Sequence, residues 1–176
     1  MTIDAAPPRR TPGEHLRRAQ IAEGTAFGLG GPPLGWVASS GASVATTLIT
    51  WDHGDIAELP TGLGWDIVTV PTDVGWKAVR YLGRMRVPAG PVLSTGHDVC
   101  WFVTPGTADG WDLAVGSVLP SGQTFGVPHP AITTPHAISG RSWIVQPREQ
   151  LTDGADLYGA CAAYSASRAM HLGAAS

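Results

Sequence analysis

Four short stretches of the chain combine residue types that could do chemistry. Trp51-Asp52-His53-Gly54-Asp55 places two carboxylates and an imidazole within four residues. Hard divalent cations take oxygen ligands and transition metals take imidazole, so Asp52, His53 and Asp55 are candidate metal ligands. The same residues are ordinary turn formers, because Asp bonds its own backbone, and a turn is the leading reading. Ser94-Thr95-Gly96-His97-Asp98 sets a hydroxyl beside His and Asp. A catalytic triad is assembled in space, however, and adjacency along the chain does not make one. The leading identity of His97 is the tip of a hairpin. His129 and His136 stand seven residues apart among prolines, and a loop of that length imposes no ligand geometry.

The fourth stretch is basic. Lys77, the sole lysine, is followed by Arg80, Arg84 and Arg86, with Trp76 and Tyr81 between them. Positions 77, 80 and 84 share one face of a helix by their i, i+3, i+7 spacing. Such a face can grip phosphates and stack bases, which makes Lys77, Arg80 and Arg84 the candidate nucleic-acid contacts. The competing reading is a solvated outer face whose other side packs on a sheet. Two other signals are weak. Gly28-Leu29-Gly30-Gly31-Pro32-Pro33 lacks a preceding strand and the third glycine of a dinucleotide loop, and no P-loop occurs. Cys100 and Cys161 sit in apolar surroundings, where a free thiol behaves as a small buried hydrophobe.

The elements that must position these residues follow from composition and pattern. The 176-residue chain is 43% apolar but only 14% charged, with a net charge of −3. That balance allows one core and excludes a generally basic nucleic-acid-coating protein, though not a local basic patch. Two cysteines are too few for a disulfide framework, and no uninterrupted apolar run is long enough for a membrane span. No apolar segment follows Arg9 and Arg10, so a secretory signal is not expected and the expected location is cytoplasmic.

Residues 1–35 read as a flexible Pro/Gly-rich arm, with a short helix possible at Glu14–Gln20, and residues 36–173 as a single domain. Within Gly24–Gly41 glycines and prolines predict loop, with a brief strand at Trp36–Ser39. Ser43–Trp51 is rich in β-branched residues and predicts a strand, as does Trp65–Val70. Thr72 or Asp73 starts a helix to Leu82, with Val74, Ala78 and Leu82 on one face and Gly83 as its stop. Pro91–Thr95 and Val99–Thr104 predict a hairpin turning at Gly96-His97-Asp98. Gln123–Val127 and Arg141–Val145 are further strands, and Thr152-Asp153 caps a last helix from Ala155 to His171. The fold class expected is α+β, with one mixed, largely antiparallel sheet flanked by two or three helices.

The order of these segments points to a family. Leu59 to Gly83 (LPTGLGWDIVTVPTDVGWKAVRYLG), Gly90 to Gly106 (GPVLSTGHDVCWFVTPG), Gln123 to Ile132 (QTFGVPHPAI) and Ser142 to Pro147 (SWIVQP) resemble the bifunctional DNA primase/polymerase N-terminal domain, most closely its small, diverged bacterial members. The resemblance spans roughly residues 43–170. It implies a polymerase-like domain in which a pair of acids on one strand, a histidine motif and a third acid hold two divalent ions. Aligning Pro71 and Gly75 with the turn after the paired acids puts Val68 and Val70 on the two aspartate positions. Aligning Trp101-Phe102-Val103 with the family's second strand puts Cys100 at the histidine. No acid falls in Val115–Val118, and Asp112 comes several residues early.

The leading expectation is therefore a degenerate, non-catalytic relative that serves as a nucleic-acid-binding or regulatory module, with no cofactor and with DNA or a nucleotide as partner. If the domain is instead an active nucleotidyltransferase, its catalytic residues are Asp66, His97 and Asp112. Magnesium or manganese would then be the cofactor, with Asp52, His53 and Asp55 as relocated ligands, provided Val44–Trp51 and Trp65–Val70 are adjacent strands. A protein–protein adaptor displaying some of the seven tryptophans is the third expectation.

Overall fold

The computed structural model describes residues 33–173, and from residue 168 onward the backbone alone. The expectations for Met1 to Pro32, including the helix at Glu14–Gln20 and the glycine-rich loop, lie outside the described residues. Four helices are described: α1 (Leu34–Ser39), α2 (Val44–His53), α3 (Thr72–Met85) and α4 (Gly154–Gly173). Seven strands accompany them: β1 (Ala57–Pro60), β2 (Asp66–Pro71), β3 (Val92–Ser94), β4 (Asp98–Val103), β5 (Ser117–Val118), β6 (Thr124–Val127) and β7 (Ser142–Val145). The fold is α+β, with two antiparallel sheets in place of the one expected. A five-stranded sheet has the order β5-β2-β4-β3-β7, and β1 and β6 form a separate two-stranded ribbon.

The sheet is covered on both faces, and the sequence of β4 shows why. After Asp98, Val99-Cys100-Trp101-Phe102-Val103 is apolar at successive positions rather than alternating, as a strand buried on both sides requires. Val99, Trp101 and Val103 join Val68, Val70 and Val92 beneath α3 and α4. Cys100 and Phe102 join Ile67, Leu93 and Trp143 on the opposite face, against α1, α2 and the β1–β6 ribbon. The amphipathic α3 buries Val74, Ala78 and Leu82, as its spacing predicts. The β3–β4 hairpin also forms as predicted, with Thr95 N–H donating to the Asp98 carbonyl at 2.9 Å.

Three expectations are corrected. Ser43–Trp51 is not a strand; α2 runs from Val44 to His53, with the Ser43 hydroxyl accepting from Thr46 N–H and Gly54 closing it in the left-handed region. Thr47 and Trp51 are buried one turn apart, with Val44 and Leu48 packed beside the same core. That helical spacing of buried side chains outweighs the propensity cost of the β-branched residues, which is at most about 0.7 kcal/mol each. Trp36–Ser39 likewise belongs to α1, which buries Trp36 and Val37. Gly83 does not stop α3: the helix continues to Met85, and Arg86 takes the left-handed cap at φ 57°.

Candidate functional site

The basic face forms on α3 because the helix is pinned from its other side. Val74, Gly75, Ala78 and Leu82 lie against the sheet, so Trp76, Lys77, Arg80, Tyr81 and Arg84 are left exposed. Trp76, Arg80 and Arg84 succeed each other at i, i+4 and i+8, spanning roughly 12 Å of the helix, and Lys77 and Tyr81 form the neighbouring row. The Lys77 ammonium lies 5.8 Å from the Tyr164 ring centroid of α4. The Tyr164 hydroxyl donates to Asp73 at 3.1 Å, tying the two helices together at this point. Among the described residues no carboxylate pairs with Arg80, Arg84 or Arg86. Those residues hold six cationic side chains, of which four are Lys77, Arg80, Arg84 and Arg86.

The acidic and histidine candidates are dispersed. Asp52, His53 and Asp55 are exposed at the end of α2 and just beyond it, not on a strand beside β2. His97 is exposed at the hairpin tip, where its carbonyl accepts from the Thr72 hydroxyl at 2.7 Å. The Ser94 hydroxyl accepts from Gly96 N–H at 3.3 Å and serves the turn. Asp112 accepts from the Tyr158 hydroxyl at 2.7 Å, a bond that raises the phenol's pKa. Among the described residues no three His, Cys, Asp or Glu side chains converge as a metal would need.

Asp66 has a different environment, which sequence reasoning did not find. It lines a cleft of about 650 Å³ together with Gly106, Asp109, Trp111, Ser117 and Ser121, between the loop after β4 and the β5 segment. Its Oδ2 accepts from Gly106 N–H at 2.8 Å, which anchors the carboxylate to that loop. Asp109 approaches the same glycine, whereas Asp112 is engaged elsewhere. The only sequence signal was the density of Gly, Pro and Ser in these two loops, which says turn rather than cleft.

The strand register decides the fate of the paired-acid positions. Val68 and Val70 are fully buried beneath α3 and α4. Cys100 pairs directly with Thr69 and lies on the other face. The positions assigned to the acids and to the histidine therefore stand on opposite sides of one sheet and cannot meet the same nucleotide. Burial pushes the Cys100 thiol up to about 11, against a smaller opposing pull from its contact with the Thr69 hydroxyl. Burial likewise pushes Cys161 up to about 11. Neither cysteine offers a thiolate near neutral pH.

His129 and His136 do not pair either. The His136 side chain is exposed, while the His129 ring packs edge-on against Trp51 at 5.6 Å and its Nδ1 accepts from Ala131 N–H at 3.0 Å. Burial lowers the His129 pKa from its ordinary 6.5. The unfolded chain then binds the extra proton first, so this contribution to stability is complete above about pH 6.5 and is lost as pH falls toward the lowered value. His129→Asn keeps an acceptor for Ala131 N–H but cannot titrate. Thermal melts of the two proteins are expected to show a smaller loss of Tm on acidification from about pH 7 to about pH 5 in the variant. Equal losses would remove His129 as the cause.

Compared with family models, curated proteins and solved structures, the chain matches none.

Proposed function

We propose that this protein is a non-catalytic relative of the DNA primase/polymerase domain that binds nucleic acid through the outer face of α3. The observation that carries the reading is the gathering of Lys77, Arg80, Arg84 and Arg86 beside Trp76 and Tyr81, in a chain whose net charge is −3. Charge so concentrated, with no carboxylate pairing Arg80, Arg84 or Arg86 among the described residues, is poised to exchange for the counterions of a phosphate backbone. The non-catalytic part is supported by valines at the paired-acid positions and by their burial under two helices. Two divalent ions cannot be held without ligands that converge.

Salt dependence tests the reading. Fluorescence anisotropy with a labelled oligonucleotide is expected to give log K falling linearly with log salt, by about 0.7 for each phosphate neutralised on a single strand. The variant K77A/R80A/R84A should flatten that slope by about 2. No detectable binding at about 50 mM salt, or a slope the variant leaves unchanged, would overturn the nucleic-acid reading. Template-directed synthesis with manganese that is lost in Asp66→Ala would overturn the non-catalytic one.

A further inference from the structure

We infer that the α3 face is selective for single-stranded nucleic acid, with Trp76 and Tyr81 as stacking platforms for unpaired bases. The inference rests on the nucleic-acid reading above and specifies its ligand. Trp76 is 37% exposed and Tyr81 42%, on the helix side away from the sheet. Five other tryptophans are fully buried, so the fold has room for indoles inside and leaves this one out. Neither Trp76 nor Tyr81 packs against another ring among the described residues, whereas the buried tryptophans make several such contacts. More than a third of each residue is open to solvent.

The spacing puts rings and cations in alternation. Trp76 opens the row that continues through Arg80 and Arg84, and Tyr81 follows Lys77 in the next row. A phosphate held by Arg80 or Arg84 therefore has an aromatic ring one helical turn away, roughly 6 Å along the axis. A duplex keeps its bases stacked inside and offers such rings only a sugar-phosphate wall. A single strand offers a π face with every phosphate, and base–aromatic stacking is tolerant of sequence. Asp73, in the first turn and held by the Tyr164 hydroxyl, is the one carboxylate of α3, against the three cations Lys77, Arg80 and Arg84 that follow it on the helix.

The test compares the full chain and its Trp76→Ala, Tyr81→Ala and doubly substituted variants on an oligothymidine and on a duplex of equal length. Both rings are exposed, so circular dichroism of the variants should match that of the parent. Tighter binding to the oligothymidine is expected, with each substitution weakening that binding by about tenfold and leaving duplex binding unchanged. Tryptophan emission should be quenched by the oligothymidine in the parent and not in Trp76→Ala. Equal affinity for strand and duplex, with both variants silent, overturns the inference and leaves the nucleic-acid reading standing. Failure to bind either one removes both. Competition by an acidic peptide as effective as the oligothymidine would also overturn the inference, by showing charge alone to be read.

Discussion

Phe102→Ala should destabilise the protein by about 3–5 kcal/mol, the range for deleting a large aromatic from a packed core. Phe102 sits on β4 with no exposed surface, at the centre of the aromatic face of the sheet. Its ring lies 5.3 Å from Trp36, 4.8 Å from Trp65, 5.6 Å from Trp143 and 5.9 Å from Phe125. Trp36 and Trp65 stack on each other at 5.3 Å. These rings come from α1, the turn before β2, and strands β4, β6 and β7, so the one side chain joins elements distant in sequence. Hydrogen bonding contributes unevenly here. The indoles of Trp51 and Trp143 donate to the carbonyls of Val127 and Pro128, while the buried N–H groups of Trp36 and Trp65 have no partner among the described residues. Cohesion of the cluster therefore rests on apolar burial and ring packing, and a void at its centre cannot be offset by polar rearrangement. Urea unfolding followed by far-ultraviolet circular dichroism measures the loss. With total stabilities of about 5–15 kcal/mol, the variant should be near the edge of folding. A loss under about 1.5 kcal/mol would mean that the cluster collapses around the void and is not close-packed.

The second large effect is expected at Gly75, where two rules predict opposite signs. Glycine inside a helix costs about 1 kcal/mol relative to alanine, so propensity alone predicts that Gly75→Ala stabilises. Packing predicts the reverse. A Cβ at Gly75 would lie 2.3 Å from Cβ of Val99 on β4, with both Val99 methyls within 2.8 Å. Val99 is a β-branched residue with stiff torsions in the central run of the sheet, so it cannot swing aside. The helix would have to lift, opening the contacts of Val74, Ala78 and Leu82. A net loss of about 1–3 kcal/mol is expected from this overpacking. Denaturant unfolding decides, and any gain in stability would show that α3 can lift from the sheet at little cost. Gly83 gives the control. It lies on the exposed part of the same helix with nothing within 4 Å of its would-be Cβ, so Gly83→Ala should stabilise by up to about 1 kcal/mol.

The two glycines show what one-dimensional pattern carries and what it leaves out. Gly83 reads as a helix stop because glycine so often ends helices, yet the chain goes on to Arg86, whose amide and that of Val87 reach back to Gly83 and Leu82. Gly75 enters the sequence reading only as an anchor of the family alignment, although it sets how closely α3 approaches the sheet. The same division runs through the candidate site. The cationic row of α3 was legible because its spacing is local and its opposite face is regularly apolar. The cleft at Asp66 was not, since Asp66 opens β2 while Asp109 and Ser121 come from two loops, and their meeting depends on the pairing of β2 with its neighbours β4 and β5. Asp52, His53 and Asp55 looked like a tip beside a strand only because Ser43–Trp51 is β-branched, and that preference is weaker than the burial of Thr47 and Trp51 on one helical face.

By itself, then, the sequence determined the α+β class, the amphipathic α3 with its basic outer face and the β3–β4 hairpin. Each of these is written in a local period of side chains, and local periods survive without knowledge of neighbours. Only the tertiary structure decided that Ser43–Trp51 is a helix, that two sheets form where one was expected, and that Asp66 faces a cleft. It alone showed Val68 and Val70 on one side of the sheet and Cys100 on the other. Those outcomes depend on register between segments far apart in the chain, and a shift of one residue in a strand exchanges its two faces.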